Sequence, residues 1–395
     1  MGSAMGSFRW LYAMPVVLAA LFLLTPPPVG GAESSLKRQE QIQAAQIIRV
    51  LPAVVGILTD VRATVKVRCG KDGVQTVETS KREGGTGFLI HPDGWIATAG
   101  HVVLPVQKPD AEYEAAFREQ AATTACGPLL QKLPAKQRAR RLKAILADPA
   151  NRQGVTVTKR LAVFLPTGTA TKSYPAVIKV MSPPIDPARL PKNGDRPDPP
   201  ILDAALIKID GANLPTVALA GSVRDAVWLG ERIFIAGYPG VVVWHSFLSK
   251  KAQVDATVTF GRVSAFRLDV NEREIIQTDA PISWGSSGGP AFDVEGNVIG
   301  MATFISTSLE GDEAIQGFNF LIPIDTIHQM AAQLGVTPST DSAFTHAWDR
   351  AVQAFVESRL QDALTYAETA DRLVPGLRNV QHSNARTREL MGAQP

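Results

Sequence analysis

The chain has 395 residues, of which 45% are apolar, the composition of a globular protein with a sizeable core rather than a disordered one. With 40 basic and 37 acidic residues the formal charge is +3, which excludes the concentrated basic footprint that nucleic-acid binding needs. Its 32 Gly and 28 Pro make it turn-rich, which points to β structure.

Arg9 forms a short basic start, and Trp10 to Leu24 is an apolar run broken only by Pro15. Small residues follow at Gly30-Gly31-Ala32, before Glu33. This is an export pattern over residues 1–32. Its apolar part, about 15 residues, is shorter than the ~20 of a comfortable span. A cleaved signal peptide and an uncleaved membrane anchor both fit, and either places the protein in the periplasm or outside the cell. Cys69 and Cys126 either pair in such an oxidising compartment or stay as buried thiols. Neither has a His at metal-ligating spacing, so no metal is expected, and no motif calls for a cofactor.

Ser35 to Val50 reads as a polar amphipathic helix leading into a strand over Ala53–Ile57, and Val61 to Val67 alternates as a half-buried strand. Pro92-Asp93-Gly94 turns a hairpin between Phe88–Ile90 and Trp95–Ala97. An insertion over about residues 105–152 shows helical spacing at Tyr113–Gln120 and Gln137–Ala147. Its cluster Lys136, Arg138, Arg140, Arg141 and Lys143 is a solvated face or a membrane or substrate contact. Strand signals return at Val155–Phe164 and Ala176–Val180, a proline-rich loop covers 183–200, and β character continues to about Pro323. Ala347, Ala351, Ala354, Ala363, Ala367 and Ala370, then Pro375, match one tetratricopeptide-type hairpin, capped by a helix over Arg378–Met391. A plain hairpin packed on the preceding domain fits as well, since one repeat cannot bury its own face. The chain thus divides into 1–32, a domain over 33–335, and a helical region over 336–395.

The chemistry starts at Gly285-Ser286-Ser287-Gly288-Gly289-Pro290. Glycines around a serine suit a tight turn whose backbone N–H groups converge beside a hydroxyl, a nucleophile with an oxyanion site. Ser287 needs a base. Of His91, His101, His245, His328, His346 and His382, only His101 stands at a strand end among small residues, Thr98-Ala99-Gly100-His101-Val102-Val103. Asp203 opens the apolar strand Ala204–Ile209, where an acid is costly without a partner; orienting His101 supplies one.

The order His, Asp, Ser is that of the double-barrel serine proteases. Gly85-Thr86-Gly87-Phe88, Gly237-Tyr238-Pro239-Gly240, Val258–Phe266, Gln277-Thr278-Asp279-Ala280 and Gln316-Gly317-Phe318 occur around these residues in series over about 50–330. The chain therefore resembles the HtrA (Deg-like) branch of the trypsin superfamily. That resemblance implies a mainly β fold, a trypsin-like pair of six-stranded β-barrels; the helical insertion, and the C-terminal α-helical hairpin in place of a PDZ domain, depart from the family pattern. It implies a serine endopeptidase acting on unfolded or damaged proteins, usually as a homo-oligomer. It further implies an oxyanion hole from the N–H groups of Gly285, Ser286 and Ser287, and a substrate pocket from Pro281, Ile282, Ala302 and Thr303. Pro281, six residues before the nucleophile, brings no acid, so cleavage after small or medium apolar residues is expected. Trp284 and Ser286 replace the usual Pro and Asn.

Two rivals remain. An α/β-hydrolase needs a helix after its serine, but Asp293–Gly296 reads as a turn and Val298–Met301 as a strand. An inactive or latent protease-like scaffold, recruiting protein partners through its helical C-terminus, is the non-enzymatic alternative.

Overall fold

The computed structural model describes residues 35–70, 73–151, 154–167, 173–182, 203–243, 255–269, 272–307 and 314–392. The export segment at 1–32 and the proline-rich loop at 183–200 lie outside them. Six antiparallel strands close a first barrel: β1 (Val54–Arg68), β2 (Val74–His91), β3 (Trp95–Thr98), β4 (Val155–Phe164), β5 (Ser173–Met181) and β6 (Ala205–Ile209), in the order β1-β2-β3-β6-β5-β4. Six more close a second: β7 (Arg232–Gly237), β8 (Thr257–Leu268), β9 (Glu274–Thr278), β10 (Pro290–Phe292), β11 (Val298–Thr307) and β12 (Ala314–Pro323), in the order β10-β11-β12-β9-β8-β7. The double six-stranded barrel expected from the resemblance is borne out.

The helices are α1 (Ser35–Val50), α2 (Gly100–Gln107), α3 (Asp110–Ala125), the short α4 (Gly127–Leu130), α5 (Ala135–Ala147), the short α6 (Val223–Ala226) and α7 (Gly240–Val243), then α8 (Ile324–Gln333), α9 (Ala343–Val356), α10 (Leu360–Leu373) and α11 (Arg378–Gly392). One apolar core runs through both barrels, from Phe88, Ile96 and Leu206 to Phe234 and Phe292, and on into Ile327, Phe344 and Trp348 of the helices. Helix α9 is therefore seated on the barrels. Its N-cap Ser342 donates to the Leu214 carbonyl (2.8 Å), and Trp348 Nε1 donates to the Ile48 carbonyl of α1 (3.2 Å).

Two local readings change. The separate strands expected at 53–57 and 61–67 are parts of one continuous strand, β1, whose first half faces the barrel core. Its far end packs Val61, Val65 and Val67 against Tyr113, Phe117 and Ile145 of the insertion, forming a second core. A disulfide between Cys69 and Cys126 ties the insertion to that end of β1, which resolves the pairing left open by the sequence. His101 stands in the first turn of α2 rather than at a strand end, because β3 stops at Thr98 and the chain turns at once into helix.

Candidate active site

The segment before β10 folds as a chain of tight turns. Ser286 N–H donates to the Ser283 carbonyl and Gly289 N–H to the Ser286 carbonyl, both at 2.9 Å. Gly285 and Gly288 have φ of +95° and +86°, a region that L side chains rarely adopt. A Cβ at Gly285 would lie 2.5 Å from the Tyr238 carbonyl oxygen, and one at Gly288 only 2.0 Å from that of Thr86. Glycine is thus required at both by conformation and by space.

This turn belongs to the second barrel but is clamped from the first. Thr86 N–H donates to the Ser287 carbonyl (2.8 Å), and Thr86 Oγ1 donates to the Gly285 carbonyl (2.7 Å). The same hydroxyl accepts from Tyr238 N–H (2.9 Å), and Thr98 Oγ1 donates to the Thr86 carbonyl (2.7 Å). Sequence reasoning missed this role. The signal was present in Gly85-Thr86-Gly87-Phe88, but a hydroxyl between two glycines looks like any turn until its partner strand is known.

His101 and Asp203 meet at one end of the adjacent strands β3 and β6, where Thr98 pairs with Ala205. His101 Nδ1 lies 2.6 Å from Asp203 Oδ2, and His101 N–H donates to Asp203 Oδ1 (2.8 Å). Thr303 Oγ1 also donates to Asp203 Oδ2. Asp203 is 3% exposed. Burial opposes its ionisation, yet the donors from His101 and Thr303 outweigh that and hold its carboxyl below the usual range. Burial likewise pushes the His101 imidazole towards neutrality, but the facing Asp203 carboxylate wins and leaves its pKa raised. With Nδ1 turned to the carboxylate, the imidazole presents Nε2 outward. Ser287 Oγ donates to the Thr303 carbonyl (3.1 Å).

Two details depart from the sequence reading. Ser286 N–H is spent on the turn to Ser283, so it is not free for an oxyanion. Among the described residues no acceptor takes the N–H of Gly285 or Ser287. The carbonyl preceding Gly285, from Trp284, is held by Gly240 N–H (2.6 Å), which turns the Gly285 N–H to the opposite side. The second detail concerns the pocket residues. Ile282, Ala302 and Thr303 are buried, and the Thr303 hydroxyl serves Asp203. Neither they nor Pro281 line the cavity beside Ser287. That cavity, about 770 Å³, is bounded by Ser287, His101, Trp284 and Tyr238 and by first-barrel residues including Ile57 and Phe164.

A family model described as "Trypsin-like peptidase domain" matches residues 85–301, which include His101, Asp203 and Ser287. A "Probable periplasmic serine endoprotease DegP-like" of Pseudomonas putida is 34% identical over 178 residues, covering 44% of this chain and 33% of the relative. A "Putative serine protease HhoB" of Synechocystis is 33% identical over 139 residues, 33% of this chain and 29% of that protein. The chain thus spans about a third of the length of these curated relatives. Among solved structures, "HtrA-type protease AlgW with decapeptide" aligns at 21% identity and a TM-score of 0.42, covering 80% of this chain and 67% of that one. By the match over residues 85–301, within a pair of closed six-stranded barrels, the chain belongs to the trypsin-like peptidase family.

Proposed function

We propose that the chain is a serine endopeptidase of the cell envelope that cleaves unfolded or damaged proteins after small or medium apolar residues. The observation that carries this is the Asp203–His101 pair at 2.6 Å beside a serine turn with two N–H groups that no acceptor takes among the described residues. In this reading Ser287 Oγ–H leaves the Thr303 carbonyl and donates to His101 Nε2 as substrate binds. His101 takes the proton as Oγ attacks the scissile carbonyl. The N–H groups of Gly285 and Ser287 receive the oxyanion, and Asp203 steadies the imidazolium. His101 then protonates the leaving amine, and water repeats the sequence on the acyl-enzyme. The absence of an acid at Pro281 supports an apolar rather than a basic residue before the cut. Export is supported by the name of the Pseudomonas putida relative, which is called periplasmic, and oligomer formation by the resemblance alone.

Purified protein incubated with unfolded casein tests this beside Ser287→Ala. Degradation by the first and not the second is expected; equal degradation by both would remove Ser287 from its role. A latent enzyme is a second reading, favoured by the Ser287 hydroxyl resting on Thr303. Labelling by a fluorophosphonate probe that requires added unfolded protein would single it out.

A further inference from the structure

The cavity beside Ser287 has a chemistry that the catalytic reading does not use. Its walls come from Ile57 and Leu58 of β1, Phe164 and Leu165 at the end of β4, and Tyr238 and Trp284 of the second barrel. Trp284, 66% exposed, stands at the rim. Among the described residues, the one carboxylate on the lining is Glu83, which is paired with Lys81 at 2.7 Å. Tyr238 is neutral, its buried hydroxyl donating to the Val54 carbonyl (3.1 Å). At about 770 Å³ the space has the size of a small-ligand pocket, and it is about half open to solvent.

Its position relative to the nucleophile decides what it would hold. His101 must hand its proton to the leaving amine, so the chain that follows the scissile bond passes along the imidazole. His101 and Val102 line this cavity, whereas Pro281, Ile282, Ala302 and Thr303, expected around the side chain before the cut, do not. The floor is opened by Gly84, which faces Leu58 across the β1–β2 ladder. A Cβ there would meet nothing nearer than the Ile57 carbonyl at 3.7 Å. The outer wall is braced from the C-terminal helices. Arg378 N–H donates to the Pro166 carbonyl (2.9 Å), and the fully buried Leu377 forms a β-bridge with Thr167.

We propose that this cavity is the binding site for one or two large apolar side chains on the leaving-group side of the cut. It selects Phe or Leu immediately after the scissile bond and rejects Asp or Glu, whose charge its apolar walls would strip of water. The proposal rests on the endopeptidase reading for its place in turnover but not for its binding chemistry. Two measurements separate them.

In the first, fluorogenic peptides with a fixed Ala before the cut carry Phe, Leu, Gly or Asp after it. A kcat/KM at least tenfold higher for Phe than for Gly is expected, with Asp lowest. Gly84→Leu, which grows a side chain into the cavity, should bring the Phe-to-Gly ratio to near one. In the second, Ser287→Ala is titrated with labelled Phe-Leu-Ala-Ala amide and Gly-Gly-Ala-Ala amide. Tighter binding of the first by tenfold or more is expected, with the difference lost in the Ser287→Ala, Gly84→Leu double variant. Equal affinities, or a wild-type ratio within twofold, would overturn the proposal. Selective binding without any cleavage of peptides or casein would leave the site standing and the endopeptidase reading refuted.

Discussion

Replacing Thr303 by Val removes one hydroxyl and almost nothing else. Thr303 is 1% exposed, so Val fills the same volume, and the backbone carbonyl that accepts from Ser287 stays in place. What disappears is the donor to Asp203 Oδ2. A hydrogen bond to a charged, buried acceptor contributes about 1.5–3 kcal/mol. If that loss falls on the imidazolium-like transition state, kcat/KM drops between about 10- and 150-fold. The stability effect carries its own signature. Asp203 has a lowered folded-state pKa, so its interactions stabilise the fold above the unfolded carboxyl value near 3.9. They are lost as the pH falls through the lower folded value. The difference in Tm between Thr303→Val and the parent should therefore be full at pH 7 and shrink as the medium is acidified below about pH 4. A packing defect would not titrate in this way. Thr303→Ser should restore both activity and Tm. Kinetics on a peptide substrate and thermal melts at several pH values form the assay. A kcat/KM within twofold of the parent, with a Tm difference independent of pH, would refute the role assigned to the hydroxyl.

Two further predictions follow from the same geometry and from the insertion. Because Asp203 raises the His101 pKa and the base must be neutral to act, kcat/KM should rise with pH through a midpoint above the ordinary imidazole value of about 6.5; Asp203→Asn should lower that midpoint along with the rate, and an unmoved midpoint would show that the carboxylate does not act on the imidazole. Reducing the disulfide, or the double change Cys69→Ser, Cys126→Ser, opens a loop of sequence separation 57, for which chain entropy gives a loss of about 4 kcal/mol at most. Hydrogen exchange should accelerate across α3–α5 while the barrel strands keep their protection, and uniform loss across both would contradict the separate second core.

Much of the site was legible in the sequence because its requirements are local. A serine at the centre of Gly285–Pro290 needs glycines on either side, whatever surrounds it. An acid at the mouth of an apolar strand such as Ala205–Ile209 announces a partner. Strand boundaries at 155–164 and the three C-terminal helices followed from periodicity, since alternation and helical spacing are read directly from neighbours. The order His101, Asp203, Ser287 and the motifs around them then brought in the two-barrel fold by resemblance.

Other features depend on residues far apart in the chain, which no window of sequence brings together. Thr86 and Gly285 are 199 residues apart, and only closure of both barrels turns a threonine between glycines into a clamp. Thr303 was expected to face substrate, but its strand places its hydroxyl on Asp203, 100 residues away. The Cys69–Cys126 bond could be written as one of two alternatives until β1 proved to run unbroken to the insertion. Residue types and local spacing by themselves singled out Ser287, His101 and Asp203 as the candidates for the chemistry. The tertiary structure alone decided which N–H groups remain free and where the open cavity lies, because both follow from long-range hydrogen bonds and packing between the barrels.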